Sequence, residues 1–168
     1  MRFRNALFVC ASLVAGDAWA CGMTGTVVPF TVAAEVGQQA AAGDLPAPSA
    51  TVTEIVRGIG ANHASCDDTG LLTVVVEWPR GRYKLREVGF EFSVAAATGP
   101  AAPGAAIFPQ GPVQGRINGR NGEFLFLWRD GAPAQQAFID LQVDVRAVTA
   151  QGQRGPPTRL LVRAAPGS

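Results

Sequence analysis

The sequence has little charge, and the charge it has is balanced. Only 16% of the 168 residues are Asp, Glu, Lys or Arg, and the formal net charge is +1. A chain of this kind has no overall positive field that would attract nucleic acid or an anionic membrane surface. Two local basic clusters stand out, Arg80-Gly81-Arg82 and Arg116 with Arg120, and neither is interleaved with aromatic residues. The sequence therefore predicts that the protein does not bind nucleic acid.

The sequence also lacks an apolar stretch of the roughly 20 residues that a transmembrane helix requires. Its short apolar run, Ala6 to Ala15, follows the basic residues Arg2 and Arg4 and precedes the small-residue site Ala18-Trp19-Ala20. That order is typical of a secretory signal peptide with its cleavage site. We therefore expect residues 1–20 to be removed, and we expect the mature protein to be periplasmic or secreted, without a transmembrane segment.

Histidine is almost absent, which limits the catalytic chemistry. His63 is the single histidine, so a Ser-His-acid triad would have to use it, and no serine stands in a Gly-x-Ser-x-Gly turn. Asp68-Thr69-Gly70 matches the triplet of aspartic proteases, but the second copy that such an active site needs is missing. No phosphate-binding loop or dinucleotide fingerprint is present either. These absences favour a protein without enzymatic activity and without a cofactor.

The segment around His63 contains residue types that bind metals, namely Cys66, Asp67 and Asp68. A closed zinc site needs four ligands, usually supplied as two spaced pairs, and the second pair is missing. We therefore expect no metal. We interpret the segment as a polar loop in which His63, Asp67 and Asp68 form part of an interaction surface.

Cysteine is scarce, and Cys10 is lost with the predicted signal peptide. The other two, Cys21 and Cys66, are expected to form a disulfide, because thiols in an oxidising compartment usually pair. An alternative stays open, since Cys21 is the first mature residue and bacterial lipoproteins carry their lipid at that position. Ala18 and Trp19 fit a lipoprotein signal poorly. The sequence thus predicts a Cys21–Cys66 disulfide, with a lipid anchor at Cys21 as the alternative.

What the chain does contain is a repeated alternation of apolar and polar residues, which is typical of strands with one buried face. The clearest case is Ile139 to Ala147. Comparable rows are Leu72 to Trp78, Val88 to Val94 and Phe124 to Trp128. Turn-forming pairs such as Asn118-Gly119 and Asp130-Gly131 separate the rows, and no convincing amphipathic helix lies between them. The pattern predicts an all-β, antiparallel two-sheet sandwich of about seven strands.

The mature chain divides into two parts. Residues 21–49 hold a short strand (24–36) interrupted by Pro29, followed by a linker of small and polar residues that contains prolines. Residues 50–165 hold the strands of the sandwich. We expect the 24–36 strand to be an extra N-terminal strand of that sandwich.

Several segments of the sandwich region resemble a fibronectin type III domain. LLTVVVEWP resembles the second strand of that family, which commonly ends in Trp followed by Pro, and EVGFEFSV resembles the third. LQVDVRAVTAQGQRGPPTRLLV resembles the sixth strand, its turn and the seventh strand. The family usually has a tyrosine at the start of the sixth strand, where this chain has Leu141. The resemblance implies an immunoglobulin-like sandwich but no activity, because function depends on the sites that a fold carries.

Two tryptophans are expected in the core, and two leucines are expected on the outer face of a strand. Trp78 and Trp128 fall in register with inward-facing residues, so we expect both to pack in the core. Leu125 and Leu127 alternate to the outward face of their strand. Either the N-terminal 24–36 strand covers them, or they form part of a surface that binds a partner.

The export signal, the sandwich pattern and the lack of convergent catalytic groups predict an exported, non-enzymatic binding module of the bacterial cell envelope. Its partner is expected to be an envelope protein or a glycan. The alternative is a secreted inhibitor or immunity-type protein that blocks a hydrolase, with the loops Ala61–Asp68 and Gly99–Pro112 entering the cleft of the enzyme.

Overall fold

The structure, a computed structural model, describes residues 24–33, 45–60, 67–98 and 107–168. The predicted signal peptide, Cys21, Cys66, His63 and residues 34–44, which include the end of the predicted 24–36 strand and much of the linker, lie outside the described residues. The cleavage site, the disulfide and the lipid anchor therefore stay predictions.

Nine strands make up most of the described chain. They are β1 (Val28–Pro29), β2 (Ser49–Val56), β3 (Thr69–Glu77), β4 (Val88–Ala97), β5 (Val113–Gln114), β6 (Arg116–Asn118), β7 (Asn121–Arg129), β8 (Ile139–Thr149) and β9 (Thr158–Ala164). One sheet has the order β1-β5-β4-β8-β9 and the other has the order β2-β3-β7-β6. All pairs are antiparallel. The prediction of an all-β, antiparallel two-sheet sandwich is confirmed.

The core lies between the two sheets, and the alternation in the sequence decides which side chains enter it. In β7, Phe124, Phe126 and Trp128 are buried, whereas Leu125 and Leu127 between them are half-buried on the outer side. Most of the phenylalanine pairs meet edge to face, for example Phe92 and Phe126 at 5.0 Å between centroids, and Phe124 and Phe126 are stacked; both are preferred geometries for aromatic pairs. Each buried side chain of this size contributes roughly 1.5–3 kcal/mol of transfer free energy.

The expected burial of the two tryptophans is confirmed. Trp78 is 3% exposed and Trp128 is 2% exposed. Trp128 needs the space that Gly70 leaves opposite it on β3, since a Cβ at Gly70 would lie 2.2 Å from the indole ring.

The long β3–β7 pair defines two ends of the sandwich. Its register runs from Thr69 opposite Arg129 to Glu77 opposite Asn121. We call the end with Thr69 and Arg129 the Asp130 end, because Asp130 follows β7 there. The opposite end, where β3 finishes and β7 begins, is the Trp78 end.

The chain changes sheet between β5 and β6, which is why the strands outnumber the seven or so expected. Val113 pairs with Pro29 and Phe90 in the five-stranded sheet, whereas Arg116 pairs with Glu123 in the four-stranded sheet. Gly115 stands at the crossing, where a Cβ would lie 2.3 Å from the main-chain oxygen of Glu123. Only glycine permits such a close approach of two backbones.

The described part of the N-terminal segment, 24–33, joins the two sheets. The Thr26 hydroxyl accepts a hydrogen bond from the Leu125 N–H (3.0 Å) and donates one to the Glu123 carbonyl (3.2 Å), both on β7. The chain then pairs as β1 with β5 in the other sheet. Beyond β1, Phe30 packs against Gly89 on β4, where a Cβ would lie 2.5 Å from the ring. Of the expected 24–36 strand, the described residues show only the two-residue strand β1, which pairs at the edge of the five-stranded sheet rather than running along the leucines of β7.

The strand order is compatible with an immunoglobulin-like or fibronectin type III-like sandwich. In this arrangement β3, β4, β8 and β9 occupy the places of the segments that resemble that family. Leu141, at the position of the usual tyrosine, is fully buried in the core.

Candidate functional site

The outward-facing residues Leu125 and Leu127 lie on the outer face of the four-stranded sheet, which is apolar near Leu127 and polar beyond Leu125. Leu127 is paired with Leu71 on β3, and Leu71 is paired with Val56 on β2, which is 43% exposed. Leu125 is paired with Thr73. The structure thus places both predicted surface leucines on one half-buried face, and their role in binding stays a prediction.

The outer face of the five-stranded sheet has the opposite character, because ion pairs cross it. The pairs are Arg163–Asp140 at 3.0 Å, Arg159–Asp144 at 2.7 Å and Arg154–Glu91 at 2.7 Å. Exposed pairs of this kind contribute about 0–1 kcal/mol each. Their carboxylates already have cationic partners, so they are poorly suited to general acid or base chemistry.

Asp67 and Asp68 lie at the Asp130 end, where their main chain holds neighbouring loops together. The Asp67 carbonyl accepts hydrogen bonds from the N–H groups of Ile59 and Gly60, and the Asp68 carbonyl accepts one from Asp130. The Asp68 carboxylate is 3.2 Å from Nε of Arg129. These contacts show a structural role for both residues. Their predicted part in an interaction surface with His63 is untested, because His63 lies outside the described residues.

A buried ion pair between Arg57 and Asp130 occupies the centre of this end. The two side chains are 1% and 4% exposed. Nε of Arg57 donates to Oδ2 of Asp130 at 2.6 Å and Nη2 donates to Oδ1 at 2.9 Å, so the contact is bidentate. Oδ2 also accepts a hydrogen bond from the Gly58 N–H at 2.9 Å.

The other guanidinium N–H groups of Arg57 donate to main-chain carbonyls at the ends of two strands of the five-stranded sheet. Nη2 donates to Ala137 at 3.0 Å, just before β8, and Nη1 donates to Ala165 at 3.3 Å, just after β9. The main-chain N–H of Arg57 donates to the Ser168 carbonyl at 2.8 Å. One arginine therefore fastens the ends of β2, β7, β8 and β9, which is a structural function and not a catalytic one.

The lowered pKa of Asp130 agrees with a structural role for the ion pair. Burial alone would raise the pKa of its carboxyl group, but the hydrogen bonds from Arg57 and Gly58 outweigh that effect and hold the pKa below the ordinary aspartate range. The buried Nε1 of Trp128 makes no hydrogen bond of standard geometry. It still lies close enough to Asp130 to help lower the pKa of that carboxyl.

A metal site is not formed by the part of the chain that the structure describes, since no group of three or more His, Cys, Asp or Glu residues there could hold an ion. Within the same residues, no helix is long and apolar enough to cross a membrane.

The Trp78 end contains a cleft of about 390 Å³, which we call the cationic cleft. It opens between the loop that follows β3 and the β6–β7 hairpin. Its lining includes Trp78, Arg80, Lys84, Arg86, Ile117 and Arg120. The volume falls within the range of about 300–1,000 Å³ that is usual for ligand sites.

Hydrogen bonds fix the main chain on both sides of the cleft. Trp78 donates its main-chain N–H to the Arg120 carbonyl (2.9 Å), and Nε of Arg120 donates to the Trp78 carbonyl (3.1 Å). The Trp78 indole N–H donates to the Tyr83 carbonyl at 2.8 Å. Gln114 on β5 donates to the carbonyls of Arg86 and Val88, both at 3.0 Å. The loop is thus held in place before any ligand binds.

The side chains around this fixed frame carry a local excess of positive charge. Six basic residues lie within 77–87 and 116–120, and the same segments contain two acidic residues, Glu77 and Glu87. Glu77 is 3.3 Å from Arg120, and Glu87 accepts a hydrogen bond from the main-chain N–H of Lys84 at 2.8 Å. Within the described residues, Arg80, Lys84 and Arg86 have no ion pair.

The sequence contained both basic clusters, but it did not show that they meet. Arg120 and Trp78 are 42 positions apart along the chain. They come together because Glu77 pairs with Asn121 in the β3–β7 ladder. The sequence did place Arg80 just after one predicted strand and Arg120 shortly before another. It did not specify the register of these two strands, and the meeting of the two clusters depends on that register.

In comparisons with known proteins, no family model, no curated protein and no solved structure matches this chain. The fold is therefore known from the structure alone.

Proposed function

We propose that the chain is an exported, non-enzymatic binding module with a fibronectin type III-like sandwich, and that the cationic cleft binds an anionic ligand. The observation that carries the proposal is the group of three cations, Arg80, Lys84 and Arg86, without ion pairs in the described chain, around a cleft whose main chain is already fixed. Export rests on the signal pattern in residues 1–20.

Most of the basic residues that line the cleft are arginines, and arginine favours recognition of single carboxylate or phosphate groups. Arginine presents a planar set of donors that matches carboxylate and phosphate groups in a bidentate manner. Arg80 lies on the loop after β3, Arg86 lies in the 3-10 helix Leu85–Glu87, and Arg120 lies across the cleft on the hairpin, paired with Glu77. The three cations without an ion pair in the described chain, Arg80, Lys84 and Arg86, suit a ligand with more than one anionic group. A fixed main chain lowers the entropy that the protein loses on binding.

The proposal is tested by measuring binding of polyglutamate, oligogalacturonate and inorganic polyphosphate to the mature protein by calorimetry. We expect at least one probe to bind. The double variant Arg80→Glu/Arg86→Glu should weaken that binding about a hundredfold. A hydrogen bond to a charged group contributes about 1.5 kcal/mol, and 1.4 kcal/mol corresponds to a factor of ten.

A charge-matched control is Arg159→Glu/Arg163→Glu, on the outer face of the five-stranded sheet and away from the cleft. This variant should bind the same probe with unchanged affinity. The proposal is wrong if no anionic probe binds, or if the two double variants lose affinity equally, because the effect would then be one of overall charge.

A further inference from the structure

Strand β6 is the edge of the four-stranded sheet, and it borders the cationic cleft. Asn118 and Asn121 flank the two-residue turn Gly119–Arg120, in which Gly119 has a φ of 62°. Residues that flank such a turn hydrogen-bond to each other. Because the ladder alternates, the next residue, Ile117, turns its N–H and C=O away from β7. Among the described residues, nothing hydrogen-bonds to those two groups.

The side chain of Ile117 lines the cationic cleft. Its partner across the ladder is Gly122, which is buried on the inner side of β7, so Ile117 also faces inward. Ile117 is nevertheless 45% exposed, because it lies at the cleft. A main-chain donor and an acceptor that have no partner in the described chain thus lie, with an exposed aliphatic side chain, beside the cations of the cleft.

The two aromatic residues of the cleft do not offer a free stacking surface. Trp78 is 3% exposed. The half-buried ring of Tyr83 has the Arg82 guanidinium 5.6 Å from its centroid, and its hydroxyl is bonded to Gln153 at 3.2 Å. Single-stranded nucleic acids are commonly held by stacking on exposed aromatic rings. The cleft instead offers a sheet edge, which extended peptides use.

We propose that the ligand of the cationic cleft is an acidic, extended segment of a partner protein, which adds to β6 as a further antiparallel or parallel strand. This inference rests on the proposed function, since it names the ligand of the same cleft. The main chain of the segment pairs with the N–H and C=O of Ile117. Side chains of a strand alternate, so carboxylates at every second position face Arg80, Lys84 and Arg86.

The test uses the unmodified mature protein and a synthetic peptide in which glutamate alternates with valine. A second peptide has the same sequence with N-methyl groups on alternate main-chain nitrogens, so that it keeps the charge and loses donors to a sheet edge. We expect the first peptide to bind and the second to bind at least about tenfold more weakly, since hydrogen bonds at the edge are lost. A peptide with lysine in place of glutamate should not bind.

A second readout follows the amide of Ile117 by hydrogen exchange. At saturation with the glutamate–valine peptide, exchange at Ile117 should slow, whereas the Asn118 amide, already paired with Asn121, should change little. Equal affinity for the two glutamate peptides, unchanged exchange at Ile117, or tighter binding of oligogalacturonate than of the peptide would overturn the strand-addition inference. Those results would leave the anion-binding function standing, whereas failure of every anionic probe would remove both.

Discussion

The two ends of the sandwich use arginine in opposite ways. At the Asp130 end, Arg57 is 1% exposed, and its guanidinium donates to one carboxylate and to several carbonyls. At the Trp78 end, Arg80 and Arg86 extend from a fixed loop and have no ion pair in the described chain. The same residue type therefore stabilises the fold at one end and remains free to bind a ligand at the other.

The difference shows what distinguishes a structural arginine from one that is available for binding. The deciding properties are the burial of the side chain and its hydrogen-bonding partners, and not the number of charged residues nearby. Removing one partner of a buried ion pair leaves an uncompensated charge, which is strongly destabilising. Removing an exposed cation without a partner changes stability little. Substitutions at the two ends should therefore divide into those that change unfolding and those that change binding.

The largest effect on stability is expected from Asp130→Ala, which leaves Arg57 buried without its carboxylate. We expect the free energy of unfolding, measured in urea, to fall by about 3–5 kcal/mol. The control is Arg163→Ala, which breaks the exposed pair with Asp140 and should cost about 0–1 kcal/mol. If Asp130→Ala prevents folding, Arg57→Met/Asp130→Leu replaces the pair with apolar groups and should be more stable than Asp130→Ala. Equal losses for Asp130→Ala and Arg163→Ala would contradict the structural role of the pair.

The next largest effect is expected on the way the free energy of unfolding depends on pH, through the same ion pair. The pKa of Asp130 is lowered in the folded protein, so its contribution to stability is complete above the unfolded pKa of about 3.9 and is lost as the pH falls through the lower folded pKa. We expect wild-type protein to lose part of its stability below about pH 4. Arg57→Met/Asp130→Leu should lack that part of the acid transition. Identical pH profiles for the two proteins would show that the pair does not control acid stability.

A smaller contrast is expected between one glycine at each end. In Gly70→Ala, the new Cβ would lie 2.2 Å from the buried Trp128 ring, and such overpacking costs about 1–3 kcal/mol. In Gly119→Ala, nothing lies within 4 Å and the cost is that of a φ of 62°, about 1 kcal/mol. Thermal unfolding of both variants measures the difference. A larger loss for Gly119→Ala would mean that the hairpin, and not the Asp130 end, limits stability.

The smallest effect on stability is expected at the cationic cleft itself. Arg80→Glu/Arg86→Glu should change the free energy of unfolding by no more than about 0.5 kcal/mol, because neither side chain has an ion pair to lose among the described residues. Urea unfolding measured beside the binding assay checks this. A large destabilisation would place these arginines in the frame of the fold and would remove the contrast between the ends.

Alternation in the sequence was sufficient to predict the sandwich, since the inward residues of β3, β7 and β8 are buried as expected. Val74, Phe124 and Val143 are each 0–1% exposed. The residues between them are polar or half-buried. A period of two needs no knowledge of distant partners, which is why this part of the structure was accessible from the sequence.

The buried ion pair was not accessible in the same way. Arg57 continues the inward row of Ile55, which was a signal that it needed a buried acidic partner. Its partner, Asp130, is 73 positions away and stands in what the sequence presented as an ordinary Asp-Gly turn. The partner depends on how the two strands align, and alternation does not specify that alignment. The cationic cleft was hidden for the same reason, since it depends on the β3–β7 register.

The course of the N-terminal segment also decides how the sandwich carries mechanical load. Tension on the N-terminus reaches the two hydrogen bonds of Thr26 and then the two-residue ladder of β1. When the predicted Cys21–Cys66 disulfide is reduced, we expect these short attachments to open one at a time before the long β3–β7 and β4–β8 ladders come under strain. Tension on the C-terminus instead meets Ser168 bonded to Arg57, beside the buried ion pair. We therefore expect a reduced domain that is pulled from its N-terminus to lengthen first by releasing this segment, while the cationic cleft keeps its shape.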